Sequence, residues 1–377
     1  MTTTSPQPGH ATPAQQSRTP VEPRGPLSEL LCSVLTGHSA HPGEGRSPSS
    51  QDTQPERGWG ERLQAAARDA VAGGDDIVRD EDIQLSLFLL YGLHYGSLPW
   101  LDPAWEWDPD LIVTRSILER PFEEALRAAV PVNDPPAPER DVVADWLFAA
   151  TAPVPGPSLA RFVAKRASLE QVREFLIQRS IYTLREADPH SWAIPRLTGR
   201  AKAALVEIQS DEYGGGDPGR VHASIFAQTV RGAGLDDTYG AYLDSVPAVT
   251  LASQNTMSLF GLNRRLRGAI VGHLAAFEMT SSIPNRMYGD GFRRLGFGTD
   301  VTRYFDEHVE ADAVHEQIAG RDLAGALAED EPELLGDILF GALACLAVDG
   351  WAGDHILHAW QDGHSSLRKP PAVSHLA

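Results

Sequence analysis

The chain has 377 residues, of which 42% are hydrophobic, and a formal net charge of −19 at pH 7. This length suits one large or two ordinary domains with a sizeable buried core. The negative charge repels phosphate backbones, so we expect no nucleic-acid partner. Residues 1–25 lack the apolar run of a secretory signal, and the longest apolar stretch, 338–348, is too short to span a bilayer. Cys32 lies near a predicted tail and is expected not to pair with Cys345, which favours a reducing compartment and hence the cytoplasm. Because the apolar stretch is short, we expect no membrane association.

Composition predicts two flexible ends around one domain. Residues 1–58 are rich in Pro, Ser, Thr, Gln and Gly, and they bury too little apolar surface to offset chain entropy, which predicts a disordered tail. An apolar island at 27–35 is either a docking helix or a transient one, and the sequence leaves both open. Residues 366–377 are predicted to form a flexible C-terminal tail. The folded domain is therefore expected to cover residues 59–365.

The domain between these ends reads as helical almost throughout. No run of alternating β-branched residues appears between turn signals, which predicts an all-α fold. A capping box, Ser168 with Gln171 three residues later, marks one helix start. Apolar residues recur at helical spacing in the segments 82–95, 108–130, 140–150, 168–186, 200–213, 221–233, 264–281, 300–319 and 332–360.

The sharpest local motif is HVEADAVH, which places His308, Asp312 and His315 at positions i, i+4 and i+7 of a predicted helix. At about 100° per residue these side chains share one helix face. Two imidazoles flanking a carboxylate can bind a metal from one helix. The alternative is a polar, solvated stripe.

Other segments offer the further ligands that one helix cannot supply. Glu278 ends an apolar helix face, Glu212 precedes a glycine-rich break, His222 follows that break, and Glu186 closes another helix. Each taken alone is more typical of a surface carboxylate or a helix cap. Taken together, carboxylates and imidazoles without a nearby thiolate pair suit iron or manganese.

The order and spacing of these motifs resemble those of a known family. The motifs are EADPH from Glu186, EIQSDEYGGG followed by RVH up to His222, EMTSSIPNR from Glu278, and the His308 motif. They resemble the haem-oxygenase-like di-iron oxidases, also called iron-containing redox enzymes. The similarity spans residues 165–320 closely and is nearest to the branch that N-oxygenates amine or guanidine groups.

The resemblance implies a haem-oxygenase-like helical bundle that holds no haem. It implies two Fe(II) ions per chain, O2 as co-substrate activated through a peroxo-diferric intermediate, and an external electron donor. The substrate would be a small molecule that bears an amine. Some members of that branch carry an additional cupin domain, for which this chain has no room. The metal ligands that the resemblance implies are Glu186, Glu212, His222, Glu278, His308, Asp312 and His315.

Other functions stay open at the level of sequence. The same site suits oxidative C–C cleavage or desaturation of a fatty acid or amino acid. A long apolar pocket would favour a fatty acid, whereas a pocket with fixed acids would favour an amine. A non-catalytic iron-binding or interaction protein and a role in cofactor maturation are further alternatives. The oligomeric state is not determined, and a homodimer is one option.

Several residues near these motifs carry weaker expectations. His355 and His358 form an HxxH pair for which we expect a structural or surface role. His273 is expected in the core or beside the site. Glu207 and Asp211 either hold a ligand imidazole by its free N–H group or lie on the surface. Five aromatic residues either line a substrate pocket or belong to the ordinary core: Tyr95, Trp100, Phe226, Phe277 and Tyr304.

Overall fold

The structure is a computed structural model that describes residues 21–37 and 58–371, without the side chains of residues 310–313. Within these ranges helix is the only regular secondary structure, which confirms the all-α prediction. The helices are α1 Pro26–Thr36, α2 Trp59–Gly73, α3 Glu81–Gly92, α4 Pro109–Ala129, α5 Arg140–Ala150, α6 Leu159–Lys165, α7 Leu169–Thr183, α8 Asp188–Ser191, α9 Gly199–Glu212, α10 His222–Gly232, α11 Ala248–Leu262, α12 Arg267–Arg294, α13 Thr299–Gln317, α14 Ala326–Asp330 and α15 Leu335–Gln361. A π-helical segment, Ile318–Gly325, joins α13 to α14.

Helix α12 is the centre of the bundle and packs along α15, α13 and α6. Its approach to α15 is close because glycines stand at the crossing. A Cβ atom on Gly272 would lie 1.8 Å from the Ile338 carbonyl oxygen, and one on Gly341 would lie 2.0 Å from that of Ala269. The absence of side chains at these two positions therefore sets the distance between the two helices.

The N-terminal segment 21–37 corrects one prediction. Helix α1 is ordered and docks on α3, where the Asp82 carboxylate accepts the backbone N–H groups of Leu27 and Ser28 at 2.9 and 2.7 Å. The buried side chain of Arg24 pairs with Glu81 at 2.6 Å. The prediction of disorder throughout 1–58 is thus wrong for 21–37, while residues 1–20 and 38–57 lie outside the described residues.

The C-terminal segment corrects a second prediction. Ser366 is buried, and its backbone N–H and hydroxyl groups donate to the Glu174 carboxylate, each at 2.8 Å. The backbone N–H of Arg368 donates to the carbonyl of Ser245 at 2.8 Å. Because of these bonds, 366–371 are not the flexible tail that the sequence predicts, and 372–377 lie outside the described residues.

The helices that the periodicity predicts are present, and others are added to them. The capping box at Ser168 and Gln171 starts α7 as predicted. The sequence does not predict helices α2, α6, α8, α11 and α14, and α12 continues through Pro284 to Arg294. Both cysteines are free and buried.

One helical stretch among the described residues, Pro332–Gln361, is long and apolar enough to cross a membrane by length and composition. More than half of its most apolar stretch is buried within the protein, at 56%. Burial of this kind is typical of the central helix of a bundle, and α15 packs on α12 and α11.

The crossing of α12 and α15 gives a stability prediction. We expect Gly341→Ala to lower the free energy of unfolding by about 2 kcal/mol or more, because the added methyl group overlaps the Ala269 backbone. The control is Gly336→Ala on the same helix, where a Cβ atom meets nothing within 4 Å. That change should be neutral or stabilise by up to about 1 kcal/mol. Urea unfolding followed by circular dichroism measures both, and equal effects would contradict the close crossing.

Candidate metal centre

Six of the seven ligands implied by the resemblance come together in the bundle and form one cluster. Glu186 lies in the turn after α7, Glu212 is the last residue of α9, and His222 is the first residue of α10. Glu278 projects from α12, and α13 carries both histidines of the HVEADAVH motif, His308 and His315. All six side chains are buried or nearly so, at 9% exposure or less. Asp312 lies on α13, but its side chain is outside the described part of the structure.

The first group comprises Glu186, His222 and His308, whose candidate ligand atoms all lie within 4.8 Å of one another. The Glu186 Oε1 atom lies 4.0 Å from His222 Nδ1 and 3.9 Å from His308 Nε2. These separations are too long for hydrogen bonds and leave space between the three atoms. A metal ion placed among them would therefore meet one oxygen and two nitrogens.

The second group comprises Glu212, Glu278 and His315, within the same distance limit. The His315 Nδ1 atom lies 3.4 Å from Glu278 Oε2. Glu212 also reaches the first group, because its Oε1 atom lies 3.1 Å from His222 Nδ1. The Glu212 carboxylate thus lies between two sets of potential ligands, where a bridging carboxylate would be placed.

Two of the imidazoles are oriented by bonds on the side away from the cluster. His308 donates from Nδ1 to the backbone carbonyl of Tyr304 at 2.8 Å, since a carbonyl can only accept. His315 donates from Nε2 to the Asp211 carboxylate at 2.9 Å. These bonds leave His308 Nε2 and His315 Nδ1 as the nitrogens that face the cluster. Such outer contacts are the usual way in which a protein orients metal-binding histidines.

Several buried polar atoms in the cluster have no hydrogen-bond partner within the described structure. They are Glu186 Oε1, Glu212 Oε2 and His222 Nδ1. The second oxygen of Glu186 is occupied, because the Tyr304 hydroxyl donates to it at 2.6 Å. Buried polar atoms are almost always partnered, so unpartnered atoms in both three-residue groups require an explanation. Cations held by the two groups would give these atoms partners, and the donor set of carboxylate oxygens and imidazole nitrogens fits iron.

The protonation of the cluster reflects the burial of its charges. Burial raises the pKa of Glu186 well above its usual range, and the neighbouring Glu212 charge adds to this effect. Burial opposes a charge on His222 as well, but the adjacent Glu212 carboxylate raises the pKa of this imidazole to about 9. The hydrogen bond with Glu278 raises the pKa of His315 to about 9. Burial lowers the pKa of His308 to about 4, which keeps this imidazole neutral. Protons thus provide the positive charge that a metal would otherwise bring.

A cavity of about 30 Å³ lies among the cluster residues and is large enough for an ion or a water molecule. It adjoins a second space of about 80 Å³ that also reaches His308. Of the five aromatic residues considered from sequence, Phe226, Phe277 and Tyr304 line this second space. Tyr95 instead packs under Arg185, whose guanidinium carbon lies 3.7 Å from the centroid of the Tyr95 ring. Trp100 is partly buried and packs against the core.

The residues with weaker expectations lie as follows. His355 bonds through Nε2 to the Ser366 carbonyl at 3.0 Å, and His358 is exposed, so neither belongs to the cluster. His273 is fully buried and lies beside the site, 3.2 Å from His190. Of the two α9 acids with weaker expectations, Asp211 accepts a hydrogen bond from the His315 imidazole and Glu207 is exposed.

Sequence reasoning missed the side chains that line the approach to the cluster: Arg179, Tyr182, Tyr288 and Asp349. A signal for the first two was available. Arg179 and Tyr182 precede Glu186 by seven and four positions, which places all three on one face of the helix predicted for residues 168–186. Tyr288 follows Glu278 by ten positions on α12, and Asp349 lies on α15, so only the tertiary packing brings them here.

Comparisons with known proteins find similarity over part of the chain. Residues 173–350 match the family model described as iron-containing redox enzyme. Two crystal structures of a CADD-like protein of unknown function from Nostoc punctiforme are similar to the chain, with 18% and 16% sequence identity. They cover 58% and 59% of this chain and 96% of their own, with TM-scores of 0.46 and 0.45. No curated protein matches the sequence.

The hydrogen bond between His315 and Asp211 gives a prediction about metal binding. We expect Asp211→Ala to weaken Fe(II) binding about tenfold or more, because His315 loses the acceptor that fixes its free nitrogen toward Glu278. Glu207→Ala, one turn earlier on α9, is the matched control and should bind like the wild type. Anaerobic titration of Fe(II) against a chromophoric chelator measures both affinities. Identical affinities for the two variants would contradict an orienting role for Asp211.

Proposed function

We propose that this chain, which belongs to the iron-containing redox enzyme family through residues 173–350, is a non-haem di-iron oxygenase. Its substrate would be an amine or guanidine nitrogen on an amino acid or another small metabolite. The observation that carries the proposal is the pair of adjoining three-residue groups, buried and beside a cavity whose wall bears fixed charges.

The charge of the ligand set supports two divalent ions. Four of the seven proposed ligands are carboxylates, namely Glu186, Glu212, Glu278 and Asp312, and two ferrous ions carry the four positive charges that balance them. Buried charges are stable only when they are paired or bound to metal. The first group would hold one iron and the second group the other, and Glu212 lies close to residues of both groups.

The reaction balances as follows. An amine, O2, two electrons and two protons give a hydroxylamine and water, with one oxygen atom forming the new N–O bond. When bound, the iron pair would supply a site for O2 and electrons for its reduction. An external electron donor must return these electrons after each turnover.

The chain's own residues would position the reactants and exclude water. Phe226, Phe277 and Tyr304 form an aromatic wall between the cluster and the outer part of the cavity. The Tyr304 hydroxyl holds one oxygen of Glu186, which leaves the other oxygen directed at the cluster. His308 stays neutral and keeps its Nε2 lone pair directed inward.

The cavity favours a nitrogen substrate over a fatty acid. Its wall includes the carboxylate of Asp349, the guanidinium of Arg179 and the polar side chains of Ser281 and Asn285. A fatty acid would need a long apolar channel instead, and a fixed acid attracts an amine. Oxidative C–C cleavage and desaturation of a fatty acid at the same cluster are thereby less well supported, and a passive iron carrier would need no such cavity.

The proposal is tested by iron loading and O2 consumption. We expect about two iron ions per chain after anaerobic loading with Fe(II), falling in Glu278→Gln, His308→Ala and Asp312→Ala because each removes a ligand. His358→Ala is the matched control, since this histidine is exposed and outside the cluster. Metal analysis after desalting, repeated with excess Fe(II), measures the iron content.

The iron-loaded protein is then mixed with O2, a chemical reductant and each member of a panel of amines, amino acids and fatty acids. Sustained O2 consumption that depends on an amine, with a hydroxylamine product seen by mass spectrometry, is the expected result. Consumption with fatty acids alone would favour C–C cleavage or desaturation. Iron uptake without substrate-dependent consumption would leave an iron-binding protein, and no iron under any condition would overturn the proposal.

A further inference from the structure

The cavity beside the cluster continues outward in two sections. The inner section, of about 80 Å³, shares Tyr182, Phe277 and His308 with the cluster. The outer section, of about 330 Å³, is more open and lies between α7, α12 and α15. The two sections share part of their walls and form one passage from the surface to the cluster. The shared residues are Arg179, Tyr182, Phe277, Thr280, Pro284, Tyr288 and Asp349.

Arg179 places a permanent positive charge in the wall of both sections. Its guanidinium lies among three aromatic rings, 5.6 Å from the centroid of Phe175, 5.9 Å from Tyr182 and 5.8 Å from Tyr288. Only about a quarter of the side chain is exposed, at 26%. A guanidinium in such a dry setting binds a carboxylate far more strongly than an exposed one does.

Asp349, on α15, supplies the opposite charge next to Arg179. Its Oδ1 atom lies 4.0 Å from Arg179 Nη1, which is longer than a hydrogen bond. Its side chain is 46% exposed, so it faces the open end. The two charges therefore stand side by side in one wall without saturating each other.

We propose that this pair binds the α-amino and α-carboxyl groups of an α-amino acid substrate. The carboxylate would bind Arg179, the ammonium would bind Asp349, and the side chain would run inward along Tyr182 and Phe277 to the cluster. The two charged groups of an amino acid share one carbon atom, as the adjacent Arg179 and Asp349 require. This inference rests on the proposed oxygenase function and specifies its substrate class.

The position of the pair also determines which substrate atom reaches the cluster. Arg179 lines both sections of the passage but not the cavity among the cluster residues, which Glu186 and Glu278 line. An amino acid anchored at Arg179 would therefore present the end of its side chain to the cluster, and keep its α-carbon distant. This arrangement suits oxygenation of a side-chain nitrogen and disfavours loss of the carboxyl group.

Matched ligands test the proposal on the wild-type chain, loaded with Fe(II) without O2. The probes are L-lysine, L-lysinamide, which lacks the carboxylate, and 6-aminohexanoate, which lacks the α-ammonium group. L-arginine and L-argininamide form a second pair. Isothermal titration calorimetry should show that each amino acid binds at least tenfold more tightly than its amide. Equal affinities within both pairs, or no binding at all, would overturn the proposal.

Two variants test which residue binds which charged group of the amino acid. Arg179→Gln should weaken binding of L-lysine and 6-aminohexanoate at least tenfold and leave that of L-lysinamide unchanged. Asp349→Asn should weaken binding of L-lysine but not of 6-aminohexanoate. Arg264→Gln, at an exposed position, is the control. Losses that are equal for all probes would show that the ion pair serves only the fold, and would also overturn the proposal.

The iron content of the same samples separates this inference from the proposed function. Two irons per chain without any preference for the carboxylate would refute the amino-acid site and leave the oxidase standing. A preference for the carboxylate that depends on Arg179 in protein unable to retain iron would support the amino-acid site and count against the oxidase.

Discussion

The structure depends on the cost of placing charged side chains inside a helical bundle. Three carboxylates and three imidazoles are buried together, and burial alone would drive Glu186 and Glu278 toward their neutral forms. Such groups are retained in a core only if something of opposite charge meets them. Without metal, protons on His222 and His315 meet part of this need. The two divalent cations proposed for the site would meet it fully and would give partners to the unpartnered atoms of Glu186, Glu212 and His222.

This constraint also accounts for the path of the chain around the cluster. Glu212 and His222 are ten residues apart in sequence, yet their side chains lie 3.1 Å apart. The return from α9 to α10 runs through Gly214–Gly216, all with positive φ. A Cβ atom on Gly214 would lie 2.7 Å from the Arg220 backbone, so the turn requires glycine. The glycine-rich break visible in the sequence is thus the device that joins two candidate ligands.

The ligand set follows from the resemblance of the sequence motifs to a known family and stays a prediction. The sequence was sufficient for the fold class, which follows from the helical periodicity. It failed at α11, whose polar side chains are buried on several faces and hide the helical period. Asn255, for example, is fully buried and bonds to both the carbonyl and the side chain of Gln84. Disorder was overestimated at both ends because Asp82 and Glu174, distant in sequence, supply the acceptors that hold those segments. Arg179 and Asp349 come together only through the packing of α7 and α15.

Two irregular stretches of backbone lie close to candidate ligands in sequence. Pro284 follows Glu278 by six residues within α12, and its ring leaves the Thr280 carbonyl without a helical donor beside the cavity. The π-helical segment Ile318–Gly325 begins three residues after His315. A widened turn of this kind costs stability and recurs at functional sites. Helices α11 and α15, which carry none of the candidate ligands, run as continuous α-helices. The bundle therefore accepts strain where ligands must converge and keeps regular geometry in the helices that support them.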